Sequence, residues 1–378
     1  MVLYEFFYPG YRAGGPVQSL VNMVMALSDV FEFKIVTTAF DLHATQPYST
    51  VALNEWNKIK LYNDITVDVW YSSAIKPSMA ELKHAIDAAK PDLIYINGFY
   101  TNHFLYPLLL KKTGSLKNTV LIVAPRGMLQ TGALKNKSFQ KKAYLQLLKL
   151  FGLMKRIDFH ATTTDETKDI ETIFGYQRNI VVAGNIPKKP VATIHSSCKE
   201  KGQLKLIYLS LISEKKNLLL LLEILQIAEA AVVLDIYGPV KDENYWQQCL
   251  LMIQQMPANI TVTYKGDIGP HKVQALMEEY DAKILLTKGE NFGHALFESL
   301  SVGRPIITSY FTPWNELERK QAGWNVDISN KKSISNLLDA LAMKNAEEWQ
   351  LYCKGAHQLA VNYFDEQDFK ESYQQLFS

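Results

Sequence analysis

The sequence predicts an α/β protein with two domains, each built on a mainly parallel sheet. Short apolar segments alternate with helix-length amphipathic segments from one end of the chain to the other. The chain has 378 residues, more than one hydrophobic core usually organises. Residues 185–203 are rich in proline, lysine and small polar residues and have no clear period. We therefore place a linker there, with one domain on each side.

Five apolar segments predict the strands of the first domain. In chain order they read VLYEFF, FKIVTT, DLIYING, VLIVAPRG and IDFHATT. Each leads into Gly, Pro, Asn or Thr, which are typical loop residues. Because parallel strands end at the same edge of a sheet, and open α/β sheets bind ligands there, we expect functional residues at this edge.

A second alternating series follows the linker. Its predicted strands are LKLIYLS, AVVLDIYG, ITVTYKG, AKILLTKG and RPIITSY, with predicted helices at 216–229 and 271–280. The expected domains are 1–187 and 188–361. The last segment is amphipathic, and we expect a helix at about 362–378 to pack back on the first domain.

The composition excludes several classes of protein. With 48% hydrophobic and 21% charged residues the chain is an ordinary globular protein, and a net charge of +2 does not indicate a nucleic-acid binder. Three separated cysteines fit neither a disulfide framework nor a metal cluster. There is no secretory signal at the start, and no apolar run approaches the roughly 18 residues of a membrane span. We expect a cytoplasmic protein whose membrane contact, if present, is peripheral.

The segment 287–314 carries two glutamates, Glu290 and Glu298, around a strand-to-helix turn. A tight loop is predicted at 289–293 and a helix at 294–302, closed by Gly303. The backbone N–H groups at such a helix start point outward and favour a phosphate.

A carboxylate near a phosphate is repelled unless a group with hydroxyls lies between them. A nucleotide-sugar meets this condition: its diphosphate would lie on the helix start, with one glutamate on the sugar and the other on the ribose. The alternative is that Glu290 is a plain loop residue and Glu298 a solvated helix residue. The spacing of the two glutamates by itself favours this alternative, because glutamate is a common residue.

The neighbouring residues favour the nucleotide-sugar. The pieces GENFG (289–293), ESL (298–300), G-x-P (303–305) and TPW (312–314) resemble the retaining glycosyltransferases of family 4, which have the GT-B fold of two Rossmann-like domains facing a cleft. The resemblance covers nearly the whole chain in order and is densest over 281–327. It implies that Glu290 contacts the donor sugar and Glu298 the ribose. The loop amides that would hold the diphosphate are those of Asn291, Phe292, Gly293 and His294.

Residues at two positions in the first domain extend the resemblance. Gly14 and Gly15 lie between a strand and a helix, and in the family such a glycine loop faces the donor phosphates and the acceptor. Arg126 ends a predicted strand, where its cation would contact phosphate or acceptor, or else form an ordinary loop ion pair.

The chain departs from the family at two places. Where family members have an arginine followed five residues later by a lysine, this chain has Leu211 and Lys216. We expect Lys216 to contact the diphosphate, with Lys215 as a candidate substitute for the missing arginine. Where the family commonly has a histidine at a strand end, this chain has Asn97, which can donate a hydrogen bond to a sugar but cannot transfer a proton. His103 is interpreted as a packed residue outside the site.

A basic segment suggests contact with a membrane. Between Lys135 and Arg156 there are seven basic residues and no acidic one, interleaved with leucines and aromatics. Such a helix can lie on an anionic membrane surface, and a lipid-linked acceptor would explain it; a solvated helix over the domain core is the alternative.

The sequence therefore predicts a retaining glycosyltransferase of the hexosyltransferase class. It would move a sugar from a UDP- or GDP-linked donor to a glycan or lipid-linked glycan acceptor in surface-polysaccharide or glycoconjugate biosynthesis, on the cytoplasmic face of the inner membrane. No Asp-x-Asp triplet occurs, so no metal and no cofactor beyond the donor are expected. The departures at Leu211 and Asn97 leave open a nucleotide-sugar-binding scaffold without catalysis. A nicotinamide dehydrogenase on similar sheets is opposed by the absence of G-x-G-x-x-G.

Overall fold

The chain forms two compact units. The computed structural model describes residues 1–130, 138–175, 179–195 and 199–378. Unit 1 comprises Met1–Ile186 together with Asp368–Ser378, and unit 2 comprises Pro187–Gln367. The return to unit 1 begins later than the expected position 362, because residues up to Asp365 continue a long helix of unit 2.

Unit 1 contains an eight-stranded sheet with the order β3-β4-β2-β1-β5-β6-β7-β8. All neighbours are parallel except β3 and β4. The strands are β1 (Val2–Leu3), β2 (Lys34–Thr38), β3 (Trp56–Lys60), β4 (Thr66–Ser72), β5 (Leu93–Asn97), β6 (Val120–Ala124), β7 (Asp158–Ala161) and β8 (Ile180–Val182).

Unit 2 contains a six-stranded, fully parallel sheet with the order β11-β10-β9-β12-β13-β14. The strands are β9 (Gln203–Leu209), β10 (Ala231–Tyr237), β11 (Ile260–Tyr264), β12 (Ala282–Leu285), β13 (Ile306–Ser309) and β14 (Gly323–Val326). Strands β12, β13 and β14 are buried along their whole length, as expected where helices cover both faces of a parallel sheet.

The helices follow the strands in the alternation that the sequence predicts. In chain order they are α1 (Gly15–Leu27), α2 (Met79–Ala89), α3 (Asn102–Thr113), α4 (Ser138–Leu150), α5 (Thr164–Phe174), α6 (Leu218–Leu225), α7 (Glu243–Ile253), α8 (Val273–Met277), α9 (His294–Ser301), α10 (Lys331–Ala342), α11 (Ala346–Asp365) and α12 (Phe369–Phe377). Short 3-10 turns lie at Tyr62–Asp64, Glu214–Lys216 and Pro270–Lys272. The predicted class, α/β with two parallel-sheet units, is confirmed.

Each sheet has one point where the strand order reverses. In unit 1 the chain winds from β1 toward β2 and then resumes on the other side at β5; in unit 2 it winds from β9 toward β10 and resumes at β12. The loops after the two strands at such a point diverge and leave a crevice at the carboxyl edge, where ligands bind in open α/β sheets. The strand order therefore determines which loops lie side by side at the carboxyl edge of each sheet.

The apolar pattern missed four strands: β3, β4, β8 and β14. Strand β3 (WNKIK) is an antiparallel edge strand with no fully buried residue, so it lacks the apolar run that marks an interior strand. Strand β8 has three residues and none of them is fully buried, whereas β14 begins at Gly323, a residue type that weakens a strand pattern. The predicted first strand is also shorter than expected, ending at Leu3.

Candidate active site

The site in unit 2 lies where the strand order reverses. Strand β9 is followed by the 3-10 turn Glu214–Lys216, and β12 is followed by the loop that leads into α9. Because β9 and β12 are parallel neighbours, their carboxyl ends bring this turn and this loop together.

Hydrogen bonds between the turn and the loop fix their relative position. The Lys288 N–H donates to the Lys215 carbonyl oxygen over 2.9 Å, and Asn217 Nδ2 donates to the Leu286 carbonyl oxygen over 3.0 Å. On the other side of the loop, the Glu290 N–H donates to the Phe311 carbonyl oxygen over 2.9 Å. The loop backbone is therefore held from both sides before any ligand binds.

An ion pair joins the two predicted residues Lys216 and Glu290. Lys216 Nζ donates to Glu290 Oε1, and their side chains are 17% and 14% exposed, respectively. The carboxylate that the sequence assigns to the sugar and the ammonium that it assigns to the phosphate are thus partners of each other. Their low exposure makes the pair less screened by solvent than a surface salt bridge.

The start of α9 provides outward-pointing amides. Gly293 caps the helix with φ 79° and ψ 61°, the left-handed region that favours glycine, and a Cβ there would lie 3.0 Å from Leu296 Cδ1. Among the residues that the structure describes, no acceptor is found for the backbone N–H groups of Gly293 and Ala295. The predicted helix at 294–302 ends at Ser301.

The other loop residues anchor the turn. Phe292 is buried, its ring packs against Phe297 and Trp314, and its carbonyl oxygen accepts a 2.7 Å hydrogen bond from Trp314 Nε1. His294 is also buried, with its ring 4.8 Å from that of Phe292, and Asn291 is half-buried. The side chain of Phe292 therefore belongs to the core, and only its backbone amide can serve a ligand.

Glu298 is a buried carboxylate inside α9. The residue is 6% exposed, and no described residue donates a hydrogen bond to its carboxylate. Burial raises the pKa of Glu298 from 4.5 to about 7, while the nearby cations Lys188 and Lys283 act in the opposite direction. A buried acceptor without a protein donor is suited to a ligand that brings hydroxyl groups.

Lys283 is a charged residue of this site that sequence reasoning missed. It lies on β12, is fully buried, and Nζ donates to the Leu209 carbonyl oxygen over 2.7 Å. Burial lowers its pKa from 10.5 to about 7, Glu298 and Glu290 raise it, and Lys216 lowers it further. The signal was available, since a lysine in the middle of the apolar strand AKILL is unusual, but only the fold places it beside Glu298.

In unit 1, the predicted glycines lie in the loop before α1. Gly14 has φ 77° and ψ −138°, a conformation that essentially only glycine adopts, and Gly15 is the exposed first residue of the helix. The Asp41 carboxylate accepts hydrogen bonds from the N–H groups of Tyr11 and Arg12, which fixes the approach to this turn.

Asn97 and Arg126 are hydrogen-bonded to each other at the carboxyl edge of the same sheet. Arg126 Nε donates to Asn97 Oδ1 over 2.8 Å, Nη2 donates to the Tyr95 hydroxyl over 2.7 Å, and Nη1 donates to Asn185 Oδ1. Asn97 is buried and its Nδ2 has no partner among the described residues. The guanidinium therefore orients the Asn97 amide and leaves Nδ2 as the unused donor.

Two further residues have structural roles. His103 is buried on α3, as expected for a packed residue, and burial lowers its pKa to about 3. Thr163 caps the start of α5 by accepting a hydrogen bond from the Glu166 N–H, and the Glu166 carboxylate accepts hydrogen bonds from the Gly127 and Thr162 N–H groups.

Helix α4 carries the described part of the basic segment. The exposed side chains on and just after it include eight basic or large apolar ones, which we call the basic apolar surface: Phe139, Lys142, Leu147, Lys149, Leu150, Phe151, Lys155 and Arg156. Leu145 and Leu148 face the core, and Lys135 and Lys137 lie outside the described residues. No described helix combines the length and apolar character that a membrane crossing requires. No group of three or more His, Cys, Asp or Glu in the described parts of the chain is suited to hold a metal ion.

Solved structures with this arrangement match nearly the whole chain. Anabaena Alr3699/HepE, in complex with UDP and glucose, has a TM-score of 0.72 at 14% identity, covering 100% of this chain and 98% of that chain. Sucrose-phosphate synthase from Thermosynechococcus elongatus has a TM-score of 0.74 at 11% identity, covering 100% and 97%. WaaG, a glycosyltransferase involved in lipopolysaccharide biosynthesis, has a TM-score of 0.64 at 11% identity, covering 99% and 97%. At these identities the similarity establishes the shared fold, which is GT-B.

The family match supplies the enzyme class. Residues 191–356 match the model for glycosyl transferases group 1, whereas no curated protein sequence matches the chain. The matched range lies within unit 2, so the chain carries a glycosyl transferases group 1 domain there. Lys216, Glu290 and Glu298 all fall within the matched range, and the predicted family and enzyme class are confirmed.

Proposed function

We propose that this glycosyltransferase transfers a sugar with retention from a UDP- or GDP-linked donor to a glycan or lipid-linked glycan, in surface-polysaccharide or glycoconjugate biosynthesis. The observation that carries the proposal is Glu298, a buried carboxylate with no hydrogen-bond donor in the described protein, just inside the amide-bearing start of α9. A nucleotide-sugar brings both of the missing partners, since its ribose hydroxyls would donate to Glu298 and its diphosphate would accept from the amides. The UDP bound by Anabaena Alr3699/HepE is consistent with this class of donor.

Different residues of unit 2 bind different parts of the donor. The amides at the start of α9 and Lys216 stabilise the negative charge that grows on the leaving diphosphate. Glu290 accepts a hydrogen bond from a hydroxyl of the transferred sugar, and its pairing with Lys216 orients the carboxylate. The proposal assigns this charge neutralisation to protein groups, so it needs no metal ion.

The proposed reaction is a front-face displacement. The bond between the anomeric carbon and the phosphate oxygen breaks while the acceptor oxygen bonds to the same face of that carbon, and the acceptor proton passes to the leaving phosphate. No protein nucleophile is needed, and the configuration at the anomeric carbon is kept. Asn97 cannot carry a proton, so its role is to donate Nδ2 to a sugar hydroxyl, with Arg126 as the residue that orients it. The family resemblance implies that the Gly14–Gly15 turn, which has no Cβ atoms, faces the donor phosphates and the acceptor.

Transfer experiments test the enzyme. Purified protein is incubated with UDP- and GDP-sugars and glycan acceptors, and the anomeric configuration of the product is read by NMR. We expect a product with the donor's configuration, which Glu290→Ala reduces strongly while nucleotide affinity changes little, whereas Glu298→Ala mainly weakens nucleotide binding. Nucleotide binding without any product would favour the scaffold alternative, and an inverted product would contradict the front-face displacement.

We also propose that the basic apolar surface of α4 contacts an anionic membrane on its cytoplasmic face. Leu150 is 80% exposed and Phe139 is 84% exposed, and they lie among lysines with no acidic residue in the segment. Apolar side chains would enter the lipid boundary while the lysines meet anionic headgroups. This position would bring a lipid-linked acceptor to the enzyme.

Vesicle sedimentation tests the membrane contact. We expect the protein to sediment with phosphatidylglycerol vesicles but not with phosphatidylcholine vesicles, and Leu150→Asp to reduce binding. The matched control is Leu251→Asp, because Leu251 is 61% exposed on α7 of the other unit. Equal loss in both variants, or equal binding to both kinds of vesicle, would overturn the contact.

A further inference from the structure

The turn between β9 and α6 carries two adjacent lysines, Lys215 and Lys216, whose ammonium groups differ in their partners. Lys216 Nζ is already paired with the Glu290 carboxylate, so much of its charge is neutralised inside the protein. Leu211, at the place where the family has an arginine, is apolar. The diphosphate would therefore meet fewer cations than the family resemblance implies.

Lys215 differs from Lys216 in having no such partner. The residue is exposed, and no described residue forms an ion pair or hydrogen bond with its ammonium. Its backbone carbonyl oxygen accepts hydrogen bonds from the Lys288 N–H over 2.9 Å and from Thr287 Oγ1 over 3.2 Å. The main chain of Lys215 is thus fixed to the loop that leads into α9.

The side chain of Lys215 lies over that loop. A Cβ built at Gly289 would be 3.5 Å from Lys215 Cε and 3.9 Å from Nζ, so the absence of a side chain at Gly289 leaves the ammonium next to the backbone. The amides at the start of α9 follow four residues later in the chain. A cation and outward amides on the same short loop form a surface for an anion.

We propose that Lys215 is the main cationic contact to the donor diphosphate and takes over the role of the arginine missing at Leu211, an inference that rests on the proposed function. Lys216 then contributes less than Lys215 to binding the diphosphate, and it also orients the Glu290 carboxylate on the sugar. Desolvation and the neighbouring Lys216 lower the pKa of Lys215, and Glu290 partly offsets this. An anion bound beside Lys215 would offset the repulsion between the two lysines.

Nucleotides with one or two phosphates can distinguish the roles of Lys215 and Lys216. Binding of UDP and UMP, with GDP and GMP in parallel, is measured by calorimetry for wild type, Lys215→Met, Lys216→Met and the control Lys288→Met. Lys288 is an apt control because its ammonium lies in the same loop but is paired with the exposed Glu214 over 3.1 Å. A charged hydrogen bond to the second phosphate is worth on the order of tenfold or more in affinity.

We expect Lys215→Met to lose about tenfold of the preference for diphosphate over monophosphate. Lys288→Met should keep the preference, Lys215→Arg should restore it, and Lys216→Met should lower the transfer rate more than the affinity for UDP. A preference unchanged in Lys215→Met, or lost equally in Lys288→Met, overturns the inference and leaves the proposed function standing. If wild type binds neither UDP nor GDP, the proposed function fails first and this inference with it.

Discussion

Glu298→Gln tests whether the structure assigns the correct charge state to the buried carboxylate of α9. Because burial raises the folded-state pKa of Glu298 from 4.5 to about 7, the folded protein binds a proton more tightly than the unfolded chain. The stability that this proton provides is fully present below pH 4.5 and is lost as the pH rises through 7. Glutamine keeps the shape of the protonated acid but does not titrate, so the variant lacks this loss.

The magnitude follows from the two pKa values. When a carboxyl group has a pKa of 4.5 in the unfolded chain and about 7 in the folded protein, raising the pH from 5 to 7 lowers the free energy of unfolding by about 2 kcal/mol. Lys283 contributes much less in this window, about 0.4 kcal/mol of the opposite sign, because with a pKa of about 7 folded and 10.5 unfolded it stays mainly charged in both states until the pH nears 7. Glu298→Gln should therefore gain about 2 kcal/mol relative to wild type on going from pH 5 to pH 7.

The assay is urea unfolding at pH 5 and at pH 7, monitored by tryptophan fluorescence. Trp314 and Trp324 lie in the core of unit 2 and report on its unfolding. The control is Glu229→Gln, an exposed glutamate of the same unit, which should leave the difference between the two pH values unchanged. The same Glu298→Gln variant should bind UDP about tenfold or more weakly at pH 7, because an amide cannot offer the ribose a charged acceptor. Parallel pH dependences in wild type and Glu298→Gln, or undiminished UDP affinity, would refute the reasoning.

Three other changes are expected to act at defined places. Because the pKa of Lys283 is lowered from 10.5 to about 7, its charge destabilises the folded protein at neutral pH, and wild type should gain about 2 kcal/mol of stability between pH 7 and pH 9. Lys283→Met should lack this gain in urea unfolding, and a variant that keeps it would contradict the assignment. Gly14→Ala should cost about 1–3 kcal/mol in thermal unfolding, because alanine is strained at φ 77° and ψ −138°, and an unchanged unfolding temperature would show that the turn adapts. Trp314→Phe should cost about 1 kcal/mol through loss of the bond to the Phe292 carbonyl oxygen and should raise the KM for the donor, whereas unaltered kinetics would mean that this bond does not hold the loop in place.

The regular parts of the fold follow from local sequence. Apolar segments that end in loop residues mark the interior strands of both sheets, and the turn before α9 is recognisable from Gly293 and Gly303 at its two ends. The edge strand β3 was missed because an antiparallel edge has no continuous apolar run. The late return to unit 1 was missed because α11 continues to Asp365 without a change in its pattern.

The candidate site was only partly predictable. Glu290, Glu298 and Lys216 could be named because they stand in a recognisable motif. Nothing in that motif indicates that Lys216 pairs with Glu290, because the two residues lie on different strand ends that the sheet brings together. Lys283 was overlooked for the same reason, since its neighbour Glu298 comes from a different element.

The amino-acid sequence by itself determined the α/β class, the order of the elements and the chemical types available at the donor loop, because these depend on periodicity and on residues close in the chain. The tertiary structure alone decided the direction of the pKa shifts of Glu298 and Lys283, the partner of Lys216 and the orientation of the Asn97 amide. Burial and the proximity of groups distant in sequence set these properties, and both arise only when the sheets assemble.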